Sequence, residues 1–522
     1  MTSSAARPPA LDLVAINKRF GAVHANRDVS FTVAAGSIHG IVGENGAGKS
    51  TLMSIVYGFY QADSGQIKVH GAEQAIRTSQ DAIRLGIGMV HQHFMLVDTL
   101  SVLENVILGI EKGVRLAPSL AAARAELERL NRDYALDVDP DALVGNLPVG
   151  LQQRVEILKA LYRGAEILIL DEPTGVLTPQ EADHLFRILR TLKAEGKTVL
   201  LITHKLREIM DATDAVTVMR QGAVVGTVKT TETDKAQLAE MMVGRKVNLV
   251  IPKAARDPGP VVLEGRGIRL VDRRGVTLLH DLDFTVRAGE IVGVAGVSGN
   301  GQSELLDVLS GIRAPTAGEI LYHGKPLPPL NGTEAARRRA LGIAHVPEDR
   351  MTMGLVKPFP AYESAILGYH HDRDLQGTSG IRRLLFDRTA LIARTEAFMA
   401  EFDVRPPDPL LRTSLFSGGN QQKIVLAREI HRDPDLLLIG QPTRGVDIGA
   451  IEFIHRRIVD LRDAGKAVLL VSVELDEILS LADRIIVMAA GKITGILPRA
   501  EADERRLGLM MAGETGRAGD AA

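Results

Sequence analysis

Short runs of consecutive apolar residues recur along the chain and alternate with segments of helical apolar spacing. Ile38 to Val42, Ile167 to Leu170 and Thr198 to Ile202 are such runs, and Lys49 to Gly58 follows the first of them at helical spacing. Continuous rather than alternating apolar residues are typical of parallel strands that are covered on both faces. The pattern therefore predicts an α/β fold with a parallel sheet at its core.

A longer helical segment, from Ser119 to Leu136, stands apart from this alternation. It follows Pro118 and carries apolar residues on one helical face. Such a stripe is typical of packing, so we expect a helical insertion whose stripe faces a core. The residues of the stripe are Leu120, Leu127, Leu130 and Tyr134.

The chain repeats itself. GENGAGKS, Gly43 to Ser50, has a counterpart in GVSGNGQS, Gly296 to Ser303. Likewise ILILDEPTGVLT, Ile167 to Thr178, has a counterpart in LLLIGQPTRGVD, Leu436 to Asp447. Motifs repeated in the same order, 253 and 269 residues apart, indicate two copies of one structural unit.

The repeat sets the expected domain boundaries. We predict a first domain over residues 11–246 and a second over residues 261–513. Residues 247–260 contain three prolines without apolar periodicity, which predicts a short linker. Residues 514–522 are expected to form a flexible tail.

Composition excludes several classes of protein. The chain has 522 residues, a formal net charge of −2 and no cysteine. A near-neutral chain is a poor generic binder of polyanions, so we expect no nucleic-acid partner. The lack of cysteine excludes a thiol nucleophile and a cysteine-based zinc site. The apolar runs are far shorter than the roughly 18 residues of a membrane span, and the N-terminal segment lacks an apolar signal core, so we expect a cytosolic protein.

GENGAGKS fits the pattern G-x-x-x-x-G-K-[ST] of a phosphate-binding loop. Its glycines let backbone N–H groups surround phosphate oxygens, and the helix that follows adds its positive N-terminal end. Lys49 would neutralise the β- and γ-phosphates, and the Ser50 hydroxyl would bind Mg²⁺. The candidate nucleotide ligands of this segment are Gly43, Glu44, Asn45, Gly46, Ala47, Gly48, Lys49, Ser50 and Thr51.

Polar residues follow three further predicted strands. Asp171 and Glu172 end one strand, where Asp171 can reach the metal and Glu172 can polarise the attacking water. His204 ends the next strand, and Gln92 ends another. A solvated acidic pair and a structural histidine are the plain alternatives, but the position beside a phosphate loop favours catalysis. The histidines on either side of Gln92 lack further metal ligands, so we expect that these histidines bind no metal.

These residues resemble an ABC transporter ATPase in which two nucleotide-binding domains are fused. The resemblance extends from about Leu11 to Gly513 and implies tandem P-loop NTPase domains of the α/β class. Each would have a RecA-like parallel-sheet core, a small antiparallel β subdomain and a helical subdomain. The family implies an adenine-stacking aromatic (Phe20), a Q-loop that contributes to catalysis and metal binding (Gln92), a signature loop (Leu147 to Gln152), a metal aspartate (Asp171), a catalytic glutamate (Glu172), a D-loop (Gly175 to Thr178) and a switch histidine (His204).

Against this family pattern, the second half has lost its catalytic residues. Loss of one charge-assisted contact costs roughly 1.5–3 kcal/mol, and loss of a general base costs about 10²–10⁴ in rate. We therefore expect negligible hydrolysis at the second half's own phosphate loop. Gln302 replaces Lys49, Gly440 and Gln441 replace Asp171 and Glu172, Val473 replaces His204, Glu348 replaces Gln92, and no aromatic residue occurs from Ile251 to Asp283.

The two halves have lost different motifs: the first keeps its catalytic residues, and the second keeps its signature loop. The family's domains pair head to tail, so each ATP lies between the phosphate loop of one half and the signature loop of the other. The second half keeps a signature of Ser417, Gly418, Gly419 and Asn420, together with the D-loop residue Asp447. The first half has Pro148 and Thr178 at the corresponding positions, unless these are tolerated substitutions in an active loop. The resemblance thus implies one composite hydrolytic site.

The resemblance implies an energy-coupling ATPase that uses ATP and Mg²⁺ in a bacterial importer. Its partners would be two integral-membrane permeases, docked near Leu100 to Gly109 and Pro360 to Gly368, and an extracytoplasmic solute-binding lipoprotein. The chain would lie peripherally on the cytoplasmic face of the inner membrane.

Segments such as VHQHFMLVDTLSVLENVILG resemble the nucleoside and purine branch, with the monosaccharide branch as the alternative. A third hypothesis is a soluble tandem ABC protein that acts on ribosomes or DNA. Such proteins usually have two working sites and a long charged linker, whereas this chain has one degenerate site and a short linker with three prolines.

Overall fold

The computed structural model divides the chain into two compact units, Met1–Val247 and Asn248–Ala522. It describes residues 8–21, 23–91, 94–109, 116–174, 177, 179–247, 251–254, 256–297, 299–328, 334–370 and 386–513. Gln92, the tail 514–522 and three of the four residues of the first D-loop, Thr178 among them, lie outside the described residues.

The first unit has the predicted mixture of strands and helices. Its strands are β1 (Leu11–Phe20), β2 (Val23–Val33), β3 (Ile38–Val42), β4 (Ser64–Val69), β5 (Ala72–Gln74), β6 (Ile87–Val90), β7 (Ile167–Asp171), β8 (Thr198–Thr203), β9 (Ala215–Arg220) and β10 (Ala223–Lys229). Its helices are α1 (Lys49–Val56), α2 (Ser79–Arg84), α3 (Val102–Ile107), α4 (Leu116–Asp133), α5 (Val149–Tyr162), α6 (Pro179–Ala194), α7 (Leu206–Ala212) and α8 (Lys235–Val243).

A six-stranded sheet of order β10-β9-β3-β8-β7-β6 forms the centre of this unit. All its neighbours are parallel except β9 and β10, and β3, β7 and β8 are buried along their whole length. The continuous apolar runs therefore form the parallel core that was predicted. The carboxyl ends of β3, β7 and β8 lie side by side, which brings the residues after them to one edge.

Two smaller layers flank this core. The antiparallel sheet β2-β1-β4-β5 is one, and the helical region around α3, α4 and α5 is the other. In the helical region Leu127, Leu130 and Tyr134 are buried, and Leu120 packs against the same cluster. The predicted packing role of the apolar stripe is confirmed.

The second unit repeats the arrangement with the sheets β16-β17-β18-β13-β19-β20 and β12-β11-β14-β15. Its strands are β11 (Val261–Val271), β12 (Thr277–Arg287), β13 (Ile291–Ala295), β14 (Ala317–Tyr322), β15 (Lys325–Pro326), β16 (Ile343–Val346), β17 (Leu436–Gly440), β18 (Ala467–Ser472), β19 (Arg484–Ala489) and β20 (Lys492–Pro498). Its helices are α9 (Gln302–Ser310), α10 (Glu334–Ala340), α11 (Ala361–Ser364), α12 (Arg388–Glu401), α13 (Gly418–Ile430), α14 (Ile448–Asp463), α15 (Leu475–Leu481) and α16 (Glu504–Met511).

Part of the predicted linker packs on the second unit. Ile251 is 7% exposed and joins its main core cluster. Lys253 Nζ donates to the carbonyl oxygens of Leu481 and Ala482 at 2.7 and 2.8 Å. These contacts attach the segment to α15 of the second unit.

Within the described part of the chain, no helix combines the length and the apolar character needed to cross a membrane.

Candidate nucleotide-binding site

The turn between β3 and α1 has the conformation of a phosphate-binding loop. Gly46 and Gly48 have φ values of 81° and 94°, in the left-handed region that favours glycine. A Cβ atom at Gly43 would lie 2.3 Å from the carbonyl oxygen of Met219, and one at Gly48 would lie 2.3 Å from that of Ala25. The glycines are thus required both by backbone conformation and by close approach to neighbouring strands.

Lys49 lies directly beneath this loop. It is 6% exposed, and its Nζ donates to the carbonyl oxygens of Gly43 and Glu44 at 2.6 and 3.0 Å. Burial lowers the pKa of Lys49, while the nearby carboxylates of Glu172 and Asp171 act in the opposite direction. The first half therefore holds a cation at the loop that would receive the phosphates.

The end of β7 places Asp171 beside the loop. Burial raises the pKa of Asp171, and a hydrogen bond with the Ser50 hydroxyl partly offsets this effect. Hydroxyl and carboxylate oxygens are the ligands that Mg²⁺ prefers, together with phosphate oxygens and water. The pair therefore fits a Mg²⁺ ion. Among the described residues, no group of three or more histidine, aspartate or glutamate side chains is placed to hold a metal ion.

Glu172 and His204 are in direct contact. His204 Nδ1 lies 2.9 Å from Glu172 Oε1, and this hydrogen bond lowers the pKa of Glu172. The backbone N–H of Glu172 donates to Ile202 O at 2.9 Å, and its φ of 48° is unusual for a residue with a side chain. Glu172 and His204 directly follow β7 and β8, and these strand ends hold an ionised carboxylate and an imidazole together.

Phe20, the predicted adenine-stacking residue, lies at the end of β1 and is 43% exposed. Its ring packs edge to face with Tyr60 at 5.2 Å between centroids, and Lys18 Nζ lies 5.6 Å from the ring centre. Tyr60 is itself 45% exposed. Tyr60 was not predicted as a site residue, although it belongs to an aromatic cluster at the end of α1, Tyr57, Phe59 and Tyr60, that is visible in the sequence.

The second unit keeps the loop conformation without the cation. Gly299 and Gly301 have φ values of 89° and 100°. Gln302 is buried like Lys49, and its Nε2 donates to Val297 O at 3.1 Å. The neutral amide thus takes the position of the ammonium group and retains one of its backbone contacts.

The second unit is rearranged in the region that corresponds to the candidate Mg²⁺ ligands Ser50 and Asp171. Ser303 Oγ donates to Glu348 Oε2 at 2.5 Å. A Cβ atom at Gly440 would lie 2.5 Å from Glu348 Cγ. Glu348, from the end of β16, therefore approaches the space next to β17 that a side chain at position 440 would need.

The second unit also keeps the backbone of the missing catalytic pair. Gln441 has a φ of 47°, close to the 48° of Glu172, and its N–H donates to Val471 O at 2.8 Å. Its Oε1 accepts a 3.3 Å hydrogen bond from the backbone N–H of Val473. A neutral amide and a backbone group thus replace the carboxylate and the imidazole.

The two signature segments differ at the start of their helices. Ser417 caps α13, where its Oγ accepts hydrogen bonds from Asn420 Nδ2 at 2.8 Å and from Asn420 N at 3.4 Å. A Cβ atom at Gly419 would lie 2.8 Å from Asp447 Oδ2, so the signature and D-loop residues are adjacent within this unit. Asp447 caps α14 through a 2.8 Å hydrogen bond from Ala450 N.

At the corresponding position of the first unit Pro148 precedes α5, and its side chain makes no capping hydrogen bond. The next residue is Val149, which is 43% exposed, where the second unit has Gly418. The first signature segment therefore lacks both the hydroxyl and the first glycine of the second.

A parallel sheet, a glycine loop, a buried lysine and an Asp–Glu pair together define a P-loop nucleotide-binding protein. The family model that matches is that of the ABC transporter, over residues 26–175 and 279–444. The chain belongs to this family, in a tandem form with two such domains, and it is an ATPase that binds ATP.

Three relatives are similar over almost their whole length. The nucleoside import ATP-binding protein NupA of Lactococcus lactis subsp. cremoris is 45% identical, over 96% of this chain and 98% of the relative. The guanosine import ATP-binding protein NupO of Bacillus subtilis is 44% identical, over 97% and 98%. The glucose import ATP-binding protein TsgD13 of Haloferax volcanii is 45% identical, over 97% and 96%.

Proposed function

We propose that the chain is the energy-coupling ATPase of a nucleoside importer and hydrolyses ATP at one composite site. The observation that carries the proposal is the contact between Glu172 and His204, 2.9 Å apart beside Lys49. The second unit has Gln441 and Val473 in place of this pair. Hydrolysis is therefore assigned to the nucleotide held by the first unit.

Each group of the first unit has a distinct role in this proposal. Lys49 offsets phosphate charge, and Ser50 and Asp171 hold Mg²⁺, which supplies further charge neutralisation and orients the phosphates. Glu172 accepts a proton from the attacking water. His204 keeps that carboxylate oriented and donates towards the γ-phosphate.

The second unit contributes its signature to the same nucleotide. Ser417 offers a hydroxyl and stands at the N-terminus of α13, a helix of 13 residues, whose positive end favours a phosphate. Gly418 and Gly419 let the backbone approach closely. The Asn420 amide and the Asp447 carboxylate belong to the same surface. The sorting of losses between the halves supports this head-to-tail arrangement.

Nucleosides are the proposed solutes because NupA and NupO are named for nucleoside and guanosine import. Glucose is the second candidate, since TsgD13 is equally similar to the chain. ATPase stimulation in the reconstituted importer decides between them. Guanosine-loaded binding protein should stimulate turnover and glucose should not.

Two permeases and a solute-binding lipoprotein are the proposed partners, with the chain on the cytoplasmic face of the membrane. A groove of about 240 Å³ in the first unit supports a docking surface. Its lining includes Tyr57, Phe59, His91, Met95 and Lys159, so it offers aromatic surface beside a cation. This groove lies next to the segment Leu100 to Gly109, since Arg163, which also lines it, donates from Nη2 to Leu108 O at 2.8 Å. Co-purification with membranes tests the location, and a ribosome factor would not co-purify with permeases.

The variant Glu172→Gln tests the catalytic assignment. It keeps the size of the side chain but removes the base, so we expect ATP binding to persist and turnover to fall by about 10²–10⁴. The matched variant Gln441→Ala, at the same position of the second unit, should change turnover less than twofold. Hydrolysis by Glu172→Gln within tenfold of the wild-type rate would exclude Glu172 as the base.

A further inference from the structure

A buried carboxylate connects the two strand ends that carry the catalytic pair. Glu208, on α7, is 6% exposed, and its Oε1 accepts a hydrogen bond from the hydroxyl of Thr174. The hydroxyl of Thr203 also interacts with this carboxylate. Thr174 comes after β7 and Thr203 ends β8, so one side chain contacts both segments.

These two segments are the ones that hold Glu172 and His204. Thr174 is two residues after Glu172, and Thr203 immediately precedes His204. Both threonines are buried, at 4% and 1% exposure. Because the backbone N–H of Glu172 also bonds β8, a shift of either segment would change the 2.9 Å contact of the pair.

The carboxylate is held in an environment that ordinarily disfavours it. Burial raises the pKa of Glu208, and among the described residues its Oε2 has no hydrogen-bond partner. A leucine or methionine would fill the same space without this cost. The hydrogen bonds of Glu208 therefore contribute something other than packing.

The second unit provides a comparison within the chain. Glu477 follows Val473 by four residues, as Glu208 follows His204, and it is equally buried. Its Oε1 lies 2.9 Å from His455 Nε2, on α14. In the second unit, which lacks the catalytic groups, Glu477 is thus bonded to α14. In the first unit Glu208 is bonded to the segment after β7.

We infer that Glu208 is a positioning residue that fixes Glu172 and His204 relative to each other through Thr174 and Thr203. This inference rests on the proposed catalytic roles of that pair. Glu208 touches no substrate and acts by holding the two strand ends in register.

Four variants test the inference in the complex reconstituted with its permeases. Thr174→Val and Glu208→Met remove the hydrogen bond from either side and should each lower kcat about tenfold. Thr174→Ser and Glu208→Gln keep a donor and an acceptor and should stay within threefold. Turnover is expressed per MgATP-binding site, so that loss of folded protein does not imitate the effect. The affinity for MgATP should change less than twofold.

A double variant and a matched control complete the test. Thr174→Val combined with Glu208→Met should be no slower than Glu208→Met alone, because Glu208→Met already removes the interaction with Thr174. Glu477→Met removes the corresponding buried carboxylate of the second unit and should leave kcat within twofold.

Equal loss of kcat in Glu208→Met and Glu477→Met, or full activity of Thr174→Val, would overturn the inference. Glu172→Gln separates this outcome from failure of the proposed function. If that variant is inactive while Thr174→Val is normal, only the positioning role is wrong. If it remains active, the catalytic assignment itself fails.

Discussion

Ser303 donates a 2.5 Å hydrogen bond to Glu348, whereas the corresponding Ser50 is bonded to Asp171. Both units therefore keep a serine–carboxylate pair after the glycine loop. In the first unit the carboxylate comes from the end of β7, and in the second it comes from the end of β16, a different strand of the sheet. Gly440 makes the change possible because it leaves room for Glu348.

This exchange predicts that the second unit does not tolerate a side chain at position 440. In Gly440→Ala the new Cβ would lie 2.5 Å from Glu348 Cγ and 2.8 Å from Leu306 Cδ1. We expect a loss of about 1–3 kcal/mol in the free energy of unfolding, measured by denaturant titration. Glu348→Ala should recover part of this loss in the double variant. Simple additivity of the two changes would contradict the steric explanation.

Phe20 should contribute strongly to nucleotide affinity. Its exposed ring offers a stacking surface, and stacking on an aromatic ring contributes about 1–3 kcal/mol, or roughly 5- to 150-fold in Kd. Phe20→Ala should therefore weaken MgATP binding by that factor in a fluorescence titration, and Phe20→Tyr should retain it. The wild-type complex should show one tight site and one weaker or absent site. Two equally tight sites would argue against the assignment.

The two signature segments should not be equivalent. Ser417→Arg places a bulky side chain at the N-terminus of α13 and should abolish ATPase activity, whereas Ser417→Ala removes only the cap and hydroxyl and should retain part of it. Pro148→Ser should not create a second hydrolytic site, because Gln302, Gln441 and Val473 remain. Steady-state ATPase rates of the reconstituted variants measure both effects. A near-normal rate for Ser417→Arg, or a doubled rate for Pro148→Ser, would contradict the composite site.

Acid should destabilise the first unit through His39. Burial lowers the pKa of this histidine from about 6.5 to about 4, although Asp214 opposes the effect. The unfolded chain thus takes up a proton near pH 6.5 that the folded unit resists. The contribution of His39 to the free energy of unfolding is fully present above pH 6.5. It is lost as the pH falls through 4, by roughly 3 kcal/mol in all.

Chemical denaturation at several pH values checks this expectation. His39→Gln should flatten the pH dependence of the first unit. His345 of the second unit also has its pKa lowered to about 4 by burial, so His345→Gln is the matched control and should flatten only the second transition. An unchanged slope in His39→Gln would show that another group titrates.

The sequence predicted the parts of the fold that local patterns determine. The glycine loop, the buried strands and the positions of Glu172 and His204 at strand ends follow from residue types over short spans. Contacts between distant segments could not be predicted in this way. Glu348 carries no local sign that it approaches Gly440, 92 positions further along the chain. The sequence pattern likewise predicts that Glu208 is an exposed residue of an amphipathic helix, whereas in the fold it is buried against Thr174.

The anchoring of Lys253 to α15 has a practical consequence for separating the two halves. A proteolytic or genetic cut placed at the first strand, Val261, would remove Ile251 from the core of the second unit and leave the carbonyl oxygens of Leu481 and Ala482 without their ammonium donor. A fragment that begins at Asn248 retains both contacts. The stretch between the halves thus belongs structurally to the second unit from Ile251 onwards, although its prolines continue as far as Pro260.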